Sequence, residues 1–570
     1  GMTQPLYPEG DYALYWLVQF FSNPSRMWFG EYLNIEPKFL EALPLMRKIT
    51  GSDYNIIVDK TWQHMVMKSI GPEGLFYIAT GGKSYIEWNP PAPQIITPIA
   101  LGRITGGMTN YWLHSRNPEL KELLENLVDA TARSAVDKGS YCFWPASVFT
   151  PQNLPFPPSS QPLTGYWASE TVGRVIQGPA QFYAATGYEP ARELSRKCAV
   201  FMKDQSGYFN ADGSFNADPN FEGTYNTGGP HFAAHSKVLD AMCDYALAAE
   251  DQEFIDFVCR SFEYARDHQY SSKLTGYFPE YLSPTSGHEE TCELADMVAI
   301  AVKMSAAGKR DYWDDTDRWT RNHFVENQLK DCDWIYDVEK QFAYGETCEN
   351  ESSKRGCTFD HVPARNLGGF ASYAKGNVWA EYIGIMHCCT PNAARALYHI
   401  WKNVLLFDQG VLKVNLLLNR ASAWADIHSY IPYQGRVDVK VKQSLTDLQI
   451  RVPEWILSGS SQVTCTVNGQ PRGITWSGKY IKVGGVNSGD TVVVNFPISE
   501  RTQVVNLVAG RYTYTLRGTT VISVSPKTSW PRQPLFDRLY YRGSPVMKTV
   551  ERFVYSEPEQ GSESSGWRLY

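Results

Sequence analysis

The sequence has no long apolar run and no block of like charge. Its 570 residues contain no stretch near the roughly 20 apolar residues that a membrane helix needs. Acidic and basic residues are interspersed and the formal net charge is -7, which argues against a nucleic-acid surface or an anionic-membrane anchor. We therefore expect no membrane and no nucleic-acid partner, and a neutral or small polar substrate.

The first residues, GMTQPLYPEG, carry no basic segment followed by an apolar one, which an export signal requires. Gly1 before Met2 resembles the remnant of a purification tag. If Met2 is the native start, the sequence predicts a cytoplasmic protein. A chain that had lost an export signal would be periplasmic or secreted.

The cysteines give no small disulfide framework. There are eleven, an odd number, and their spacing is not that of a small disulfide-stabilised domain. Cys388 and Cys389 are adjacent, and the peptide between neighbours strains a bond joining them. Free or metal-bound thiols are therefore expected.

Aromatic residues, by contrast, are abundant at 14%, which suits both sugar-stacking clefts and a large aromatic core.

A weak repeat runs through the first two-thirds of the chain, in which a helical pattern ends in a small-residue turn and a second helical pattern follows. The turns recur at intervals of roughly 60 to 70 residues and lie near Gly51, Asn117, Gly187, Glu250 and Gly308. Helical hairpins of this length predict an (α/α)6 toroid. An irregular helical domain is the alternative.

The pattern changes after IWKNVLLFDQG to short alternating runs separated by Gly, Asn and Ser turns. These runs predict a C-terminal antiparallel β-sandwich. The expected domains are the toroid over 1–405, the sandwich over 406–545 and a polar tail over 546–570. Before the sandwich, the helix-poor stretch 331–378 is long enough to predict a segment that covers or lines a site.

Two short motifs carry candidate chemistry. Cys388 and Cys389 precede a predicted helix with Thr390 as N-cap, and a helix N-terminus favours thiolate over thiol. Glu290 and Cys292 form a Glu-x-Cys pair ahead of an apolar helix. Together the motifs supply one oxygen and three sulfur donors, a set that suits tetrahedral zinc. Spacing alone does not show that the two segments meet.

Two further groups offer metal-ligand types. His231 and His235 are one helical turn apart and could bind metal or line a pocket; with no third ligand nearby, sugar hydrogen bonding or core packing is the better expectation. A competing set lies in the helix-poor stretch and consists of Glu346, Cys348, Cys357 and His361. We expect that Glu346 and Cys348 only resemble the Glu-x-Cys motif and are not metal ligands.

The segments ETCELADMVAIAVKM, HCCTPNAARALYHIW, LKVNLLLNRASAWADIHSYIPY and LQIRVPEWI together resemble the β-L-arabinofuranosidase family, glycoside hydrolase family 127. The resemblance runs in order from roughly Glu170 to Arg542. It implies a six-hairpin glycosidase that hydrolyses a glycoside or oligosaccharide with retention, releasing terminal β-L-arabinofuranose or a related sugar.

By position in that family, Cys388 is similar to a zinc-bound cysteine nucleophile, and Zn²⁺ would be held by Glu290, Cys292, Cys388 and Cys389. The acid/base matches Glu280 best, in a loop shorter than that of the family, with Glu289 and Glu381 as alternatives. A pocket histidine of the family looks replaced by Arg174, which with His231 and His235 we expect to contact substrate.

Other functions stay open at this point. A non-catalytic zinc protein could use the same four ligands to tie the toroid to the covering segment, and a sugar lyase or isomerase could use the same toroid. The sandwich could bind carbohydrate, although bracing the toroid is the simpler expectation. The sequence carries no signal for the oligomeric state.

Overall fold

The structure is a computed structural model that describes residues 1–29, 32–79, 94–217, 229–346, 356–529, 531–546, 548 and 550–555. Helices occupy the first 403 residues and strands dominate the remainder. The helices are α1 Tyr32–Thr50, α2 Ile56–Lys68, α3 Pro98–Ser115, α4 Pro118–Ser134, α5 Tyr166–Ala168, α6 Gln177–Thr186, α7 Glu189–Val200, α8 Phe232–Ala248, α9 Gln252–Asp267, α10 Thr291–Ala306, α11 Trp313–Trp319, α12 Asp333–Glu339, α13 Val362–Arg365 and α14 Cys389–Asn403.

Six helices form a closed inner ring. In ring order they are α1, α3, α6, α8, α10 and α14, each packed on the next, and α14 packs back on α1. The helices α2, α4, α7, α9 and α11 return along the outside, and each joins its inner partner at one of the five predicted turns. The predicted toroid is confirmed. The sixth inner helix has no outer partner directly after it, because the chain passes from α14 into a strand.

Burial distinguishes the inner helices from the outer ones. The inner helix α10 is buried from Thr291 through Ser305, as expected of a helix packed on all sides. The outer helix α9 buries Phe254, Val258 and Phe262 on one face and exposes Glu253 and Arg260 on the other. Three of the five turns use a glycine with positive φ, such as Gly187 at 73°, a conformation that ends a helix at little cost in glycine.

Buried charges join inner helices across the centre of the ring. Arg395 of α14 donates to Glu41 of α1 at 3.1 Å, to Gln177 of α6 at 3.0 Å and to Asp296 of α10 at 3.2 Å. These side chains are less than 10% exposed. Because a buried charge is costly unless it is paired, the network strongly favours one arrangement of these helices.

The helical part of the chain also contains short strands, some of which position the starts of α10 and α14. These strands are β1 Leu6–Tyr7, β2 Ala13–Gln19, β3 Arg26–Phe29, β4 Ile78–Ala79, β5 Gln94–Ile95, β6 Val136–Asp137, β7 Cys142–Phe143, β8 Glu289–Glu290, β9 Cys357–Thr358, β10 Ser372–Ala374 and β11 Ile385–Met386. β11, just before Cys388, pairs with β2. β10 pairs with β8 so that Ser372 lies opposite Glu290.

The strands after α14 form two five-stranded sheets and one three-stranded sheet. Their bounds are β12 Leu405–Asp408, β13 Val411–Val414, β14 Ala425–Ser429, β15 Arg436–Val441, β16 Leu445–Arg451, β17 Thr464–Val467, β18 Gln470–Pro471, β19 Thr475–Ser477, β20 Tyr480–Val486, β21 Thr491–Asn495, β22 Glu500–Leu507, β23 Gly510–Arg517 and β24 Thr520–Ser525. The sheet β12-β13-β16-β20-β19 and the sheet β14-β15-β21-β17-β18 contribute side chains to one apolar core, including Leu412 and Ile450 from the first and Val439 and Val494 from the second.

The expectation of purely antiparallel pairing is wrong at one place. Among the strand pairs that the described residues form, β13 and β16 are parallel and the others are antiparallel. The reason is topological: between them the chain crosses to the second sheet to form β14 and β15, and then returns in the original direction.

The three-stranded sheet β22-β23-β24 packs on the helical part. Its residues Tyr514, Leu516 and Val521 are buried in the same apolar cluster as the ring helices. The Tyr514 hydroxyl donates to the carbonyl of Gly376 at 2.9 Å, so the sheet supports the segment that leads to α14. Within the described ranges, no helix is long and apolar enough to cross a membrane.

Candidate active site

The candidate site lies where the N-termini of the neighbouring ring helices α10 and α14 meet. Glu290 is the N-cap of α10, and its N–H donates to Glu293 Oε1 at 2.6 Å. Cys292 is in the first turn of α10, Cys388 is the N-cap of α14, and Cys389 is the first residue of α14. The positive ends of two helix dipoles therefore adjoin the three thiols.

The predicted N-cap of α14 is wrong. Thr390 is the second residue of the helix, not its cap. Its hydroxyl instead accepts a hydrogen bond from the N–H of Phe370 at 3.1 Å. The helix begins two residues earlier than the Thr-Pro signal suggested, because only His387 separates the end of β11 from Cys388.

The two motifs converge on one buried cluster. Cys388 Sγ lies 3.0 Å from Glu290 Oε1 and 3.8 Å from Cys389 Sγ. Cys389 Sγ lies 3.6 Å from Glu290 Oε1 and 3.8 Å from Cys292 Sγ. All four donor atoms lie within 4.8 Å of one another, and all four residues are buried.

These distances fit a tetrahedral divalent metal. Zinc–sulfur bonds of about 2.3 Å require sulfur atoms roughly 3.8 Å apart at the corners of a tetrahedron, which is the separation found between Cys389 and its two cysteine neighbours. The donor set of three sulfurs and one oxygen is one that zinc accepts. The cluster can therefore hold a metal ion.

The charge balance of the cluster also favours a cation. Burial raises the pKa of Glu290 and of Cys389 well above their ordinary values, and it raises the pKa of Cys292 to about 12. Hydrogen bonding to Cys292 and then to Cys389 lowers the pKa of Cys388 to about 6. Cys388 is thus the thiol that ionises first. The other three groups stay protonated by themselves, and a divalent cation is what would offset the cost of burying their charges.

Ser372 supports the cluster from β10. Its Oγ lies 3.1 Å from Cys389 Sγ and accepts a hydrogen bond from the N–H of Met386 at 2.8 Å. Its neighbour Ala371 accepts from the Thr291 hydroxyl at 2.6 Å. These contacts fix the start of α14 against the start of α10, and partners of this kind orient metal ligands.

Glu280 lies beside the cluster. Its carboxylate, that of Glu290 and the His231 ring have donor atoms within 4.8 Å of one another. The Glu280 backbone is held on both sides, since its N–H donates to the His288 carbonyl at 2.9 Å and its carbonyl accepts from the Phe232 N–H at 2.8 Å. Burial, and secondarily Cys292, raises the pKa of Glu280 to about 7, which suits a group that both donates and accepts a proton.

His231 lies beside Glu280, and Arg174 is near enough to His231 to act on its charge. The His231 ring packs against Tyr281 with centroids 4.8 Å apart. Burial, followed by the charge of Arg174, lowers the pKa of His231 to about 3, so the ring is neutral at ordinary pH. Arg174 donates to Glu170 Oε1 from both Nε and Nη2, at 3.0 and 2.6 Å.

His235 does not reach this pocket. Its ring is fully buried between Tyr208, at a centroid distance of 3.8 Å, and Phe215, at 4.3 Å. Its Nδ1 lies 2.9 Å from the His231 carbonyl and its Nε2 lies 3.1 Å from the Tyr208 carbonyl. The expected substrate contact is therefore replaced by core packing, the alternative that the sequence left open.

The alternative acid/base residues have other partners. Glu289 is fully buried, where it accepts from Asn327 Nδ2 at 2.7 Å and lies 3.0 Å from His323 Nδ1. Glu381 is bound by Lys375 at 2.5 Å. Neither is grouped with the cysteine cluster among the described residues.

The described members of the competing ligand set do not form a metal-ligand group. Cys348 lies outside the described residues. Cys357 is disulfide-bonded, so the expectation of free or metal-bound thiols is wrong for this residue. His361 is 81% exposed, and Glu346 is bound by the Tyr344 hydroxyl at 2.6 Å.

Sequence reasoning missed three residues beside the cluster, namely Ser372, Tyr373 and His288. Ser372 contacts Cys389, the His288 carbonyl accepts from the Glu280 N–H, and Tyr373 packs on His288. The length of the helix-poor stretch indicated a segment lining a site, but no local pattern marked which of its side chains point inward.

Comparison with known proteins agrees with this architecture. Residues 413–498 match the family model described as β-L-arabinofuranosidase, GH127 middle domain. The crystal structure of a GH127 β-L-arabinofuranosidase from Geobacillus stearothermophilus T6 is similar at a TM-score of 0.55 and 16% identity, covering 85% of this chain and 76% of that one. A structure described as a GH127 β-arabinofuranosidase is similar at a TM-score of 0.55 and 14% identity, and the match covers 85% of this chain and 74% of that one. No curated protein matches the chain.

The toroid followed by β-sheets places the chain in the six-hairpin class of folds. Within that class, the middle-domain match and the shared fold confirm the resemblance to glycoside hydrolase family 127, a family of glycosidases, that the sequence motifs indicated.

Proposed function

We propose that this protein is a retaining exo-glycoside hydrolase that uses Cys388 as its nucleophile. The observation that carries the proposal is the convergence of Glu290, Cys292, Cys388 and Cys389 beside the carboxyl group of Glu280. A purely structural metal site would need no proton donor next to it. The substrate class is a glycoside or oligosaccharide with a terminal sugar that enters beside His231.

In the first step, the Cys388 thiolate attacks the anomeric carbon. A carbon–sulfur bond forms, the glycosidic carbon–oxygen bond breaks, and the carboxyl proton of Glu280 passes to the leaving oxygen. In the second step, the Glu280 carboxylate takes a proton from water, the water oxygen attacks the same carbon, and the carbon–sulfur bond breaks. The thiolate and the protonated Glu280 are thereby restored.

Glu290, Cys292, Cys388 and Cys389 would hold Zn²⁺, which when bound stabilises the thiolate form of its cysteine ligands at neutral pH. Ser372 holds Cys389 in place. His231, neutral and next to Glu280, would donate or accept a hydrogen bond with a sugar hydroxyl. Arg174, fixed by Glu170, would shape the same pocket.

The released sugar that we propose is β-L-arabinofuranose or a related residue. The descriptions of the similar structures, a β-L-arabinofuranosidase and a β-arabinofuranosidase, support it. We further propose that the two five-stranded sheets are a β-sandwich accessory domain within 406–545, because their inner faces share one apolar core. The toroid over 1–405 would be the catalytic domain and 546–570 a tail.

The test is turnover of a panel of aryl furanosides and aryl pyranosides by the wild type and by Cys388→Ala. The variant should lose roughly 10⁴-fold or more of kcat/KM and keep its fold by circular dichroism. Cys332→Ala, a free cysteine outside the cluster, is the matched control and should retain activity. Full activity of Cys388→Ala, or a product that is an isomer or an unsaturated sugar, would contradict the proposal.

A further inference from the structure

Three aromatic side chains form a corner beside the site. Tyr373 and Tyr382 stack with ring centroids 5.0 Å apart and an interplanar angle of 21°. The His288 ring stands edge-on to both, at 5.1 Å from Tyr373 and 5.5 Å from Tyr382. Tyr382 is 42% exposed. We call Tyr373, Tyr382 and His288 the aromatic corner.

The aromatic corner adjoins the proposed proton donor. The His288 carbonyl accepts the Glu280 N–H. Burial first, and then Glu280 and Glu381, raises the pKa of Tyr382 to about 12. Burial, Glu280, Glu290 and Cys388 also raise the pKa of Tyr373. Tyr373 is thus the ring close enough to Cys388 and Glu290 to interact with their charges, and Tyr382 is the ring nearer to solvent.

The corner is rigidly built. Tyr373 has a φ of 63°, a left-handed conformation that is strained for a residue with a large side chain. It follows Ser372, which is fixed against Cys389 and Glu290. On the outer side, Glu381 Oε2 lies 3.4 Å from His288 Nδ1 and also binds Lys375.

A cavity adjoins the corner at Glu381, which lines the cavity and contacts His288. Its volume is about 370 Å³, and polar groups of Lys375, Asn377, Glu381, Arg511 and Arg532 line it together with Tyr512. Apolar faces of sugar rings pack on flat aromatic rings, and their hydroxyls need polar partners. A ring stacked on Tyr382 would reach such partners at Glu381 and Lys375.

We propose that the aromatic corner is the leaving-group subsite, with Tyr382 as a stacking platform for the sugar ring that is released with the leaving oxygen. This inference rests on the proposed function. The donor group of Glu280 must lie at the leaving oxygen. Tyr382 is partly exposed and packs on His288, whose carbonyl accepts the Glu280 N–H. His231 instead lies close to both Glu280 and Glu290, where the sugar that reacts would sit.

The test compares a disaccharide, whose leaving group contains a ring, with the methyl glycoside of the same sugar. In Tyr382→Ala the ratio of kcat/KM for the disaccharide to that for the methyl glycoside should fall about tenfold, mainly through KM. Tyr382→Phe should keep the wild-type ratio, because stacking needs only the ring. Tyr336→Ala, a tyrosine of similar exposure in α12, should keep it too.

A second measurement separates the two proposals. Calorimetric binding of a thio-linked L-arabinofuranosyl disaccharide should weaken about tenfold in Tyr382→Ala and not in Tyr336→Ala. Unchanged affinity and an unchanged ratio would overturn the leaving-group subsite while leaving the hydrolase intact. Disaccharide binding that depends on Tyr382 without any turnover by the wild type would overturn the hydrolase and leave a carbohydrate-binding corner.

Discussion

Cys388 Sγ lies 3.0 Å from Glu290 Oε1, across 98 positions of sequence. The contact exists because α10 and α14 are neighbours in the closed ring and both begin at the same end. Each helix contributes half of a donor set that neither segment could supply alone. The chemistry that we propose therefore depends on closure of the toroid.

Metal content provides the first prediction. The purified protein should contain about one zinc per chain, and Glu290→Ala or Cys292→Ala should lower that content, measured by elemental analysis, to near zero. Because a metal bound only by the folded state stabilises it, chelation should also lower the melting temperature. Glu346→Ala, which alters an exposed carboxylate of the competing set, should leave zinc content unchanged. Zinc that stays bound after loss of Glu290 and Cys292 would contradict the assigned ligands.

The second prediction concerns pH. The pKa of Glu280 is raised to about 7, so the carboxyl group is protonated and able to donate below that pH and ionised above it. For a substrate with a poor leaving group, kcat/KM should therefore fall as pH rises through about 7. Glu280→Gln should lose this descending limb and about 10² to 10⁴ in rate. Glu381→Gln is the control and should keep the descending limb. If the limb persisted in Glu280→Gln and vanished in Glu381→Gln, the acid/base residue would be Glu381 and not Glu280.

The two histidines of the predicted pair should behave differently when replaced by alanine. His231→Ala should lower kcat/KM and leave the melting temperature nearly unchanged, because the ring faces Glu280. His235→Ala should reduce the free energy of unfolding by about 2 to 4 kcal/mol, because it leaves a cavity between Tyr208 and Phe215. Chemical denaturation and steady-state kinetics on both variants check this division. If His235→Ala were as stable as the wild type but bound substrate poorly, His235 would be a substrate contact and not a core residue.

The ring-centre network should be a major determinant of stability. Arg395→Met leaves Glu41 and Asp296 as buried charges without their arginine, and we expect a loss of about 3 to 5 kcal/mol in the free energy of unfolding. The surface pair of Arg192 and Glu189 is far more exposed, and Arg192→Ala should cost about 1 kcal/mol or less. Equal effects of the two substitutions in urea unfolding would contradict a structural role for the network.

The sequence predicted the ring well because its signals are local. Residues such as Gly51, Gly187 and Gly308 mark helix ends by their own backbone conformation, and each lies at a turn between paired helices. The parallel pair β13 and β16 was missed because strand direction depends on which sheet the intervening strands join, and no run of residues records that choice.

The site was predictable in its residue types but not in its assembly. Spacing marked Glu290 with Cys292 and Cys388 with Cys389 as two separate pairs, and only the family resemblance joined them. The helix-period spacing of His231 and His235 gave no sign that one ring faces Glu280 and the other packs between aromatic rings. Ser372 and Tyr373 reach the cluster through pairing of β10 with β8, a long-range contact without a local signature.

The central claim is that Cys388 forms the covalent bond to the sugar. The most direct test is mass spectrometry of Glu280→Gln mixed with an arabinofuranoside that carries an activated aryl leaving group. Such a leaving group needs little protonation, while hydrolysis of the intermediate still needs Glu280, so the glycosyl-enzyme should accumulate. The account predicts a mass increase of one sugar residue on the peptide containing Cys388. The same increase on a carboxylate-containing peptide, with Cys388 unmodified, would contradict it.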